Sequence, residues 1–188
     1  MNFIPDQPKE VQSVPYFDDV TVAEGWQGQT TQKSVETLKS EITSAISRLG
    51  GMVVGFQKGT FMLNGKNREG FRIHYTIEAG DGKLIPGKIE IAALPVRDSV
   101  HYRRGMTATK ERRLEQSLKM SLFMFRDAMY GLWFLQQLSP GYAPLMPFIL
   151  ANKDQTISQL WAESPVMSRL LPQPENGEEF VEAKIVSE

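Results

Sequence analysis

Apolar residues in this chain change their period twice, and no other feature limits the fold as much. Val35, Leu38, Ile42, Ala45, Ile46 and Leu49 recur at three- and four-residue spacing, the stripe of a helix with one buried face. The period then falls to two. Phe71, Ile73, Tyr75 and Ile77 alternate with Arg72, His74, Thr76 and Glu78, and further on Ile89, Ile91 and Ala93 point one way while Lys88 and Glu90 point the other. From Leu114 the longer period returns through Leu118, Leu122, Phe125, Met129 and Leu132. Alternating strands have one packed and one wet face, which an antiparallel sheet tolerates. The pattern predicts an α+β fold: helix, three-stranded antiparallel sheet, long helix.

Turn-forming residues mark the boundaries. Thr30 or Thr31 is the expected cap of the first helix, and Gly50-Gly51 ends it. Met52, Val54 and Phe56 are expected to face inward. Phe61 and Leu63 take the opposite parity, which places a bulge near Gly59. Asn64-Gly65 through Gly70, and then Gly80-Asp81-Gly82, connect the strands. Pro95 closes the sheet, and the connector RDSVHYRRGMTATK leads into a helix over 109–138, stopped by Ser139-Pro140-Gly141. PLMPFIL reads as extended, and Thr156 as the cap of a short helix carrying Ile157, Leu160 and Trp161. The chain therefore divides into a flexible acidic arm over 1–29, one α+β domain with a small C-terminal helical and extended appendage over 30–164, and an acidic tail over 165–188.

Charge follows the same division. Lys and Arg number 21 against 22 Asp and Glu, a net of −1. Residues 1–24 carry −4 and residues 171–188 carry −4, so residues 25–170 hold 19 basic and 12 acidic side chains, a net of +7. A basic body of this kind suits a polyanionic partner. The long helix begins KERR, and cations at a helix N-terminus oppose its dipole unless an anion sits there. The expectation is a non-enzymatic, largely sequence-independent nucleic-acid-binding protein that grips phosphates on the open sheet face and at the head of the long helix. Arg72, Lys88, Arg97, Arg103, Arg104, Lys110, Arg112 and Arg113 supply the charge. His74 and Tyr102 supply stacking surfaces. Whether the nucleic acid is single- or double-stranded is left open.

The back of the same helix supports a different expectation. Phe123, Tyr130 and Phe134 lie opposite the leucine stripe, so the C-terminal half is apolar around most of its circumference and should be buried on both sides. A fold-back of residues 142–161 would cover it. The alternative is a structural or adaptor protein forming a homo-oligomer through these aromatics.

Other chemistries find little footing. Without cysteine there are no disulfides, thiolate metal sites or thiol nucleophiles. The two histidines, His74 and His101, stand in no ligand pattern, so neither a metal nor a cofactor is expected. A metal-dependent nuclease centre on Asp81 and Glu90 would want a lysine where Ala92 stands. GFQKGT at 55–60 lacks the ending and context of a phosphate loop. MNFIPDQPKE has no secretory character, and the apolar run Ala128–Leu135 is far short of the roughly 20 residues a membrane span needs. A cytoplasmic protein without membrane contact is expected.

Two families share the element order. Double-stranded-RNA-binding domains have a basic start to their second helix, which TATKERR resembles in placement and charge. The histidine-bearing loop of those domains has no counterpart in LNGKNREG. Single-strand annealing proteins of recombination resemble residues 31–138 in outline, with a three-stranded sheet before a long basic helix.

Overall fold

A computed structural model describes residues 14–63, 66–98, 109–139 and 141–163. Helix α1 spans Val35–Arg48, strands β1, β2 and β3 span Gly51–Leu63, Lys66–Glu78 and Leu84–Ala92, and helices α2 and α3 span Lys110–Leu138 and Ile157–Glu163. The sheet is antiparallel in the order β1-β2-β3. The α+β architecture is the one the apolar periods predict.

Both long helices lie on one face of the sheet. Leu38, Ile42 and Ile46 of α1, Leu118, Leu122 and Met129 of α2, and Phe71, Ile73, Tyr75, Ile89 and Ile91 of the sheet form one buried core. Burying each such side chain contributes about 1.5–3 kcal/mol, which makes this layer the main source of stability. The α1 cap is Ser34, whose hydroxyl accepts from the Thr37 amide at 3.0 Å; the expected Thr30 or Thr31 lies upstream of the helix. Thr156 caps α3 as predicted, and Gln159 returns the bond to the Thr156 amide.

Strand β1 departs from its expected register. The bulge falls at Val54, between the pairs Val53–Tyr75 and Gly55–His74, rather than at Gly59. Val53 and Phe56 therefore both pack on the core, while Met52 and Val54 stand exposed. The extra residue at 54 resets the parity, so simple alternation along β1 misassigns its first half.

The N-terminal boundary also moves. Residues 14–29, expected to belong to a flexible arm, pack against the molecule. Phe17 and Val20 are buried in a second cluster with Leu94 and Met120, joined by Val14, Trp26 and Met124. This cluster covers a second side of α2. Double burial thus occurs in its first half and middle, and the expected burial of its C-terminal end is not found: Phe134, Leu135 and Leu138 are exposed. The C-terminal appendage instead crosses the edge of β3, where Ile149 bridges Gly87 and the Leu150 amide donates to Pro86 O at 2.9 Å. The Tyr75 hydroxyl, deep in the core, donates to Leu145 O at 3.0 Å and anchors the start of this segment. Burial pushes the Tyr75 phenol upward in pKa. No helix among the described residues is long and apolar enough to cross a membrane.

Candidate nucleic-acid interface

The β1–β2 hairpin is longer than β3, because β3 pairs only with Gly70–Glu78 of β2. Its far end projects past the sheet, and there Thr60 and Lys66, Asn67, Arg68 and Glu69 form one wall of a cleft of about 740 Å³. Leu94–Asp98 and the head of α2, at Lys110 and Leu114, form the other walls. Tyr16 closes one end.

Four cations line this cleft: Lys66, Arg68, Arg97 and Lys110. Arg68 is held by two backbone carbonyls, its Nε donating to Ala93 O at 2.6 Å and its Nη2 to Ala92 O at 3.0 Å. Partial burial lowers its pKa from the usual arginine value, though a guanidinium remains charged at any physiological pH. Lys66 stands over the Tyr16 ring at 4.0 Å, and the Arg97 guanidinium over the same ring at 4.8 Å. Among the described residues, neither Lys66 nor Arg68 has a carboxylate within ion-pair distance.

The other two cations are partnered. Arg97 donates from Nε and Nη2 to the two oxygens of Asp19 at 3.1 and 2.6 Å, and Lys110 pairs with Asp98 at 2.5 Å. These bonds hold the Asp19 and Asp98 carboxyls below the ordinary range. Arg113 is removed from any surface. Its guanidinium takes both oxygens of Asp18 at 2.9 Å, with side chains only 4% and 1% exposed, and it also donates to Arg97 O. Asp18 further accepts from the Arg97 amide at 2.8 Å. On the head of α2, Lys110 and Arg113 are therefore answered by Asp98 and Asp18, and Asp19 answers the adjacent Arg97.

The sheet face expected to be open and basic is largely neutralised. Arg72 pairs with Glu90 at 2.7 Å. Lys88, expected to point into solvent, is buried: its ammonium donates to Asp154 O of the appendage and lies 3.6 Å from Glu90. The physical reason is the C-terminal segment, which the alternation of β3 does not reveal. His74 is half-buried between Gly55 and Lys88 in the register. Arg112 is exposed, without a carboxylate partner among the described residues. Tyr102, Arg103 and Arg104 lie outside the described residues. Their connector nevertheless leaves from Asp98 and rejoins near Lys110, and both of these residues line the cleft.

Of the three aromatics expected to form an interface, Phe123 and Tyr130 are half-buried against the core. Arg126 lies over Phe123 at 4.0 Å and Arg48 over Tyr130 at 5.4 Å. The backbone at Gly28 covers Phe123 so closely that a Cβ there would overlap the ring. Only Phe134 remains exposed.

Tyr16, Lys66 and Arg68 escaped sequence reasoning. The lysine and arginine sit in NGKNREG, whose asparagines and glycines read only as a turn, and Tyr16 sits in a segment taken for an arm. The described residues hold no grouping of His, Asp and Glu suited to a metal ion. No protein-family model, no curated protein and no solved structure matches this chain.

Proposed function

We propose that this chain binds nucleic acid without strong sequence preference, taking the phosphate backbone into the cleft between the β1–β2 hairpin and the head of α2. The observation that carries the reading is the pair Lys66 and Arg68, set in the cleft with no carboxylate partner among the described residues. Arg97 and Lys110 stand beside them in weak, exposed ion pairs that a phosphate can displace at small cost. Arg103 and Arg104 belong in sequence to the connector between Asp98 and Lys110, two residues that line the same cleft. Arg112 adds an exposed charge on the first turn of α2. The arrangement favours the hairpin side of the molecule over the sheet face, where Arg72 and Lys88 are engaged internally.

Affinity for short single- and double-stranded oligonucleotides across a salt series tests this. Each phosphate contact contributes a log–log slope of about −0.7 to −0.9. The double variant Lys66→Ala with Arg103→Ala should weaken binding several-fold and flatten the slope by about 1.4–1.8. Arg72→Gln, which breaks only the pair with Glu90, should leave both unchanged. Absence of binding at low salt, or equal loss from Arg72→Gln, would remove the cleft from consideration. The adaptor reading then gains, with its interface at the exposed Phe134, Leu135 and Leu138.

A further inference from the structure

We propose that β1 is the contact strand of a symmetric dimer, pairing antiparallel with β1 of a second copy of this chain. This rests on the sheet edge and is independent of any nucleic-acid binding. β1 is a 13-residue strand hydrogen-bonded on one side only, to β2. In an antiparallel ladder alternate residues turn both N–H and C=O away from the partner strand. Among the described residues, no other backbone meets those groups along β1. Edge strands usually discourage pairing with charges, proline or short length. β1 has no proline and is long, and its edge is blunted only by the Val54 bulge at one end and by one lysine. It carries a single charge, Lys58, and exposes Met52, Val54 and Met62.

Two observations select a second β1 as the occupant. The opposite edge of the sheet is obstructed at its middle: Ile149 bridges Gly87 and the Leu150 amide donates to Pro86 O of β3. A head-to-tail β1–β3 contact, which would propagate into a ring or fibre, therefore meets chain that is in the way, whereas a two-fold β1–β1 contact does not. The second observation is charge. Lys58 pairs with Glu69 at 3.1 Å, and Glu69 lies opposite Thr60 in the register. A two-fold axis at Gly59 sets Lys58 against Thr60 of the partner subunit, with the partner subunit's Glu69 just behind it. A positive and a negative group on either side of an axis are complementary to their own rotated copy. Phe56 then meets Met62 of the partner subunit. A Cβ added at Gly59 would touch nothing within 4 Å, so the axis falls on open backbone.

Sedimentation of the full-length chain over a dilution series should show a reversible dimer. Thr60→Lys with Met62→Lys, both at exposed positions, sets a like charge opposite Lys58 and a charge against Phe56, and should raise the dimer Kd by at least about tenfold. Circular dichroism should show those variants folded. The chain has no cysteine, so Gly59→Cys should form an inter-chain disulfide on mild oxidation while Lys83→Cys, in an exposed turn, does not. A monomer at every concentration overturns the proposal, whether the edge stays open or is met by residues 1–13 of the same chain. So does a dimer that ignores the double lysine substitution and leaves Gly59→Cys uncrosslinked, which would move the interface elsewhere, to the exposed end of α2 for instance.

Discussion

Asp18 holds three segments together with one carboxylate. It accepts from the Arg113 guanidinium on α2 and from the amide of Arg97 beyond β3, while its neighbour Phe17 fills the second apolar cluster. Removing one partner of a buried ion pair leaves the other charged and unsolvated, at about 3–5 kcal/mol. Asp18→Ala should therefore lower stability by about that amount in urea unfolding. Replacing Asp18 and Arg113 together with apolar residues should recover much of it. Asp19→Ala, whose pair with Arg97 is half-exposed, should leave the urea midpoint nearly unchanged, as loss of an exposed ion pair does. None of this is legible locally. Asp18 and Arg113 are 95 residues apart, and in sequence the one looks like part of an acidic tail and the other like part of a basic patch.

Glu41 makes the pH dependence specific. Lys33 at 2.5 Å and Arg126 at 2.5 Å both donate to it, and these bonds hold its carboxyl below the ordinary 4.5. With the folded pKa depressed, the unfolded chain binds the proton first as pH falls. The stabilisation is complete above the ordinary glutamate range and disappears as pH drops through the folded value. Glu41→Gln should lower the urea midpoint at neutral pH and make the acid side of the stability profile shallower. An unchanged acid slope would mean that other carboxylates dominate it.

At the scale of elements, the sheet shows why some of the fold was readable and some was not. β2 is central, Phe71, Ile73 and Tyr75 of its core face are buried with Ile77 half-buried beside them, and the alternation predicts this face. β1 is an edge strand with mixed burial, and its true parity depends on a bulge visible only through its pairing with β2. In β3 the alternation places Ile89 and Ile91 on the buried face, as found, yet Lys88 is covered by a segment more than sixty residues later. Gly87 belongs to the same story. The Tyr75 ring packs directly on its backbone, so a Cβ at Gly87 would overlap a ring that is itself anchored to Leu145. Gly87→Ala should destabilise by about 1–3 kcal/mol, as overpacking does in close-packed cores, and loosen the appendage, seen as faster amide exchange at Leu150. The N-terminal boundary gives the complementary test. Deleting residues 1–13 should leave the thermal midpoint nearly unchanged. Deletion through residue 29 removes Phe17, Val20 and Asp18 and should abolish cooperative unfolding.

At the scale of the whole molecule, the positive excess survives in reduced and relocated form. The +7 over residues 25–170 was counted without Asp18 and Asp19, which the fold places against Arg113 and Arg97. Including them lowers the excess to +5 and shifts it toward the hairpin tip and the connector that carries Arg103 and Arg104. Residues 171–188 carry −4 and are covalently tied to the same molecule. On the proposed reading, a covalently tied acidic segment would compete for the cleft at a high effective concentration, which for short linkers is on the order of millimolar. A tethered acidic segment competes with weakly held polyanions and loses to those engaging several cations at once. Truncation after residue 170 should tighten binding of a short oligonucleotide several-fold at low salt, and should make little difference at high salt, where the Debye length falls to about 3 Å at 1 M. Equal affinity with and without the tail at low salt would show that the acidic residues never reach the cleft. Tightening that persists at high salt would mean that they cover it by apolar contact through Phe180, Val181 or Ile185, a distinction that charge-to-glutamine variants of the tail would then separate.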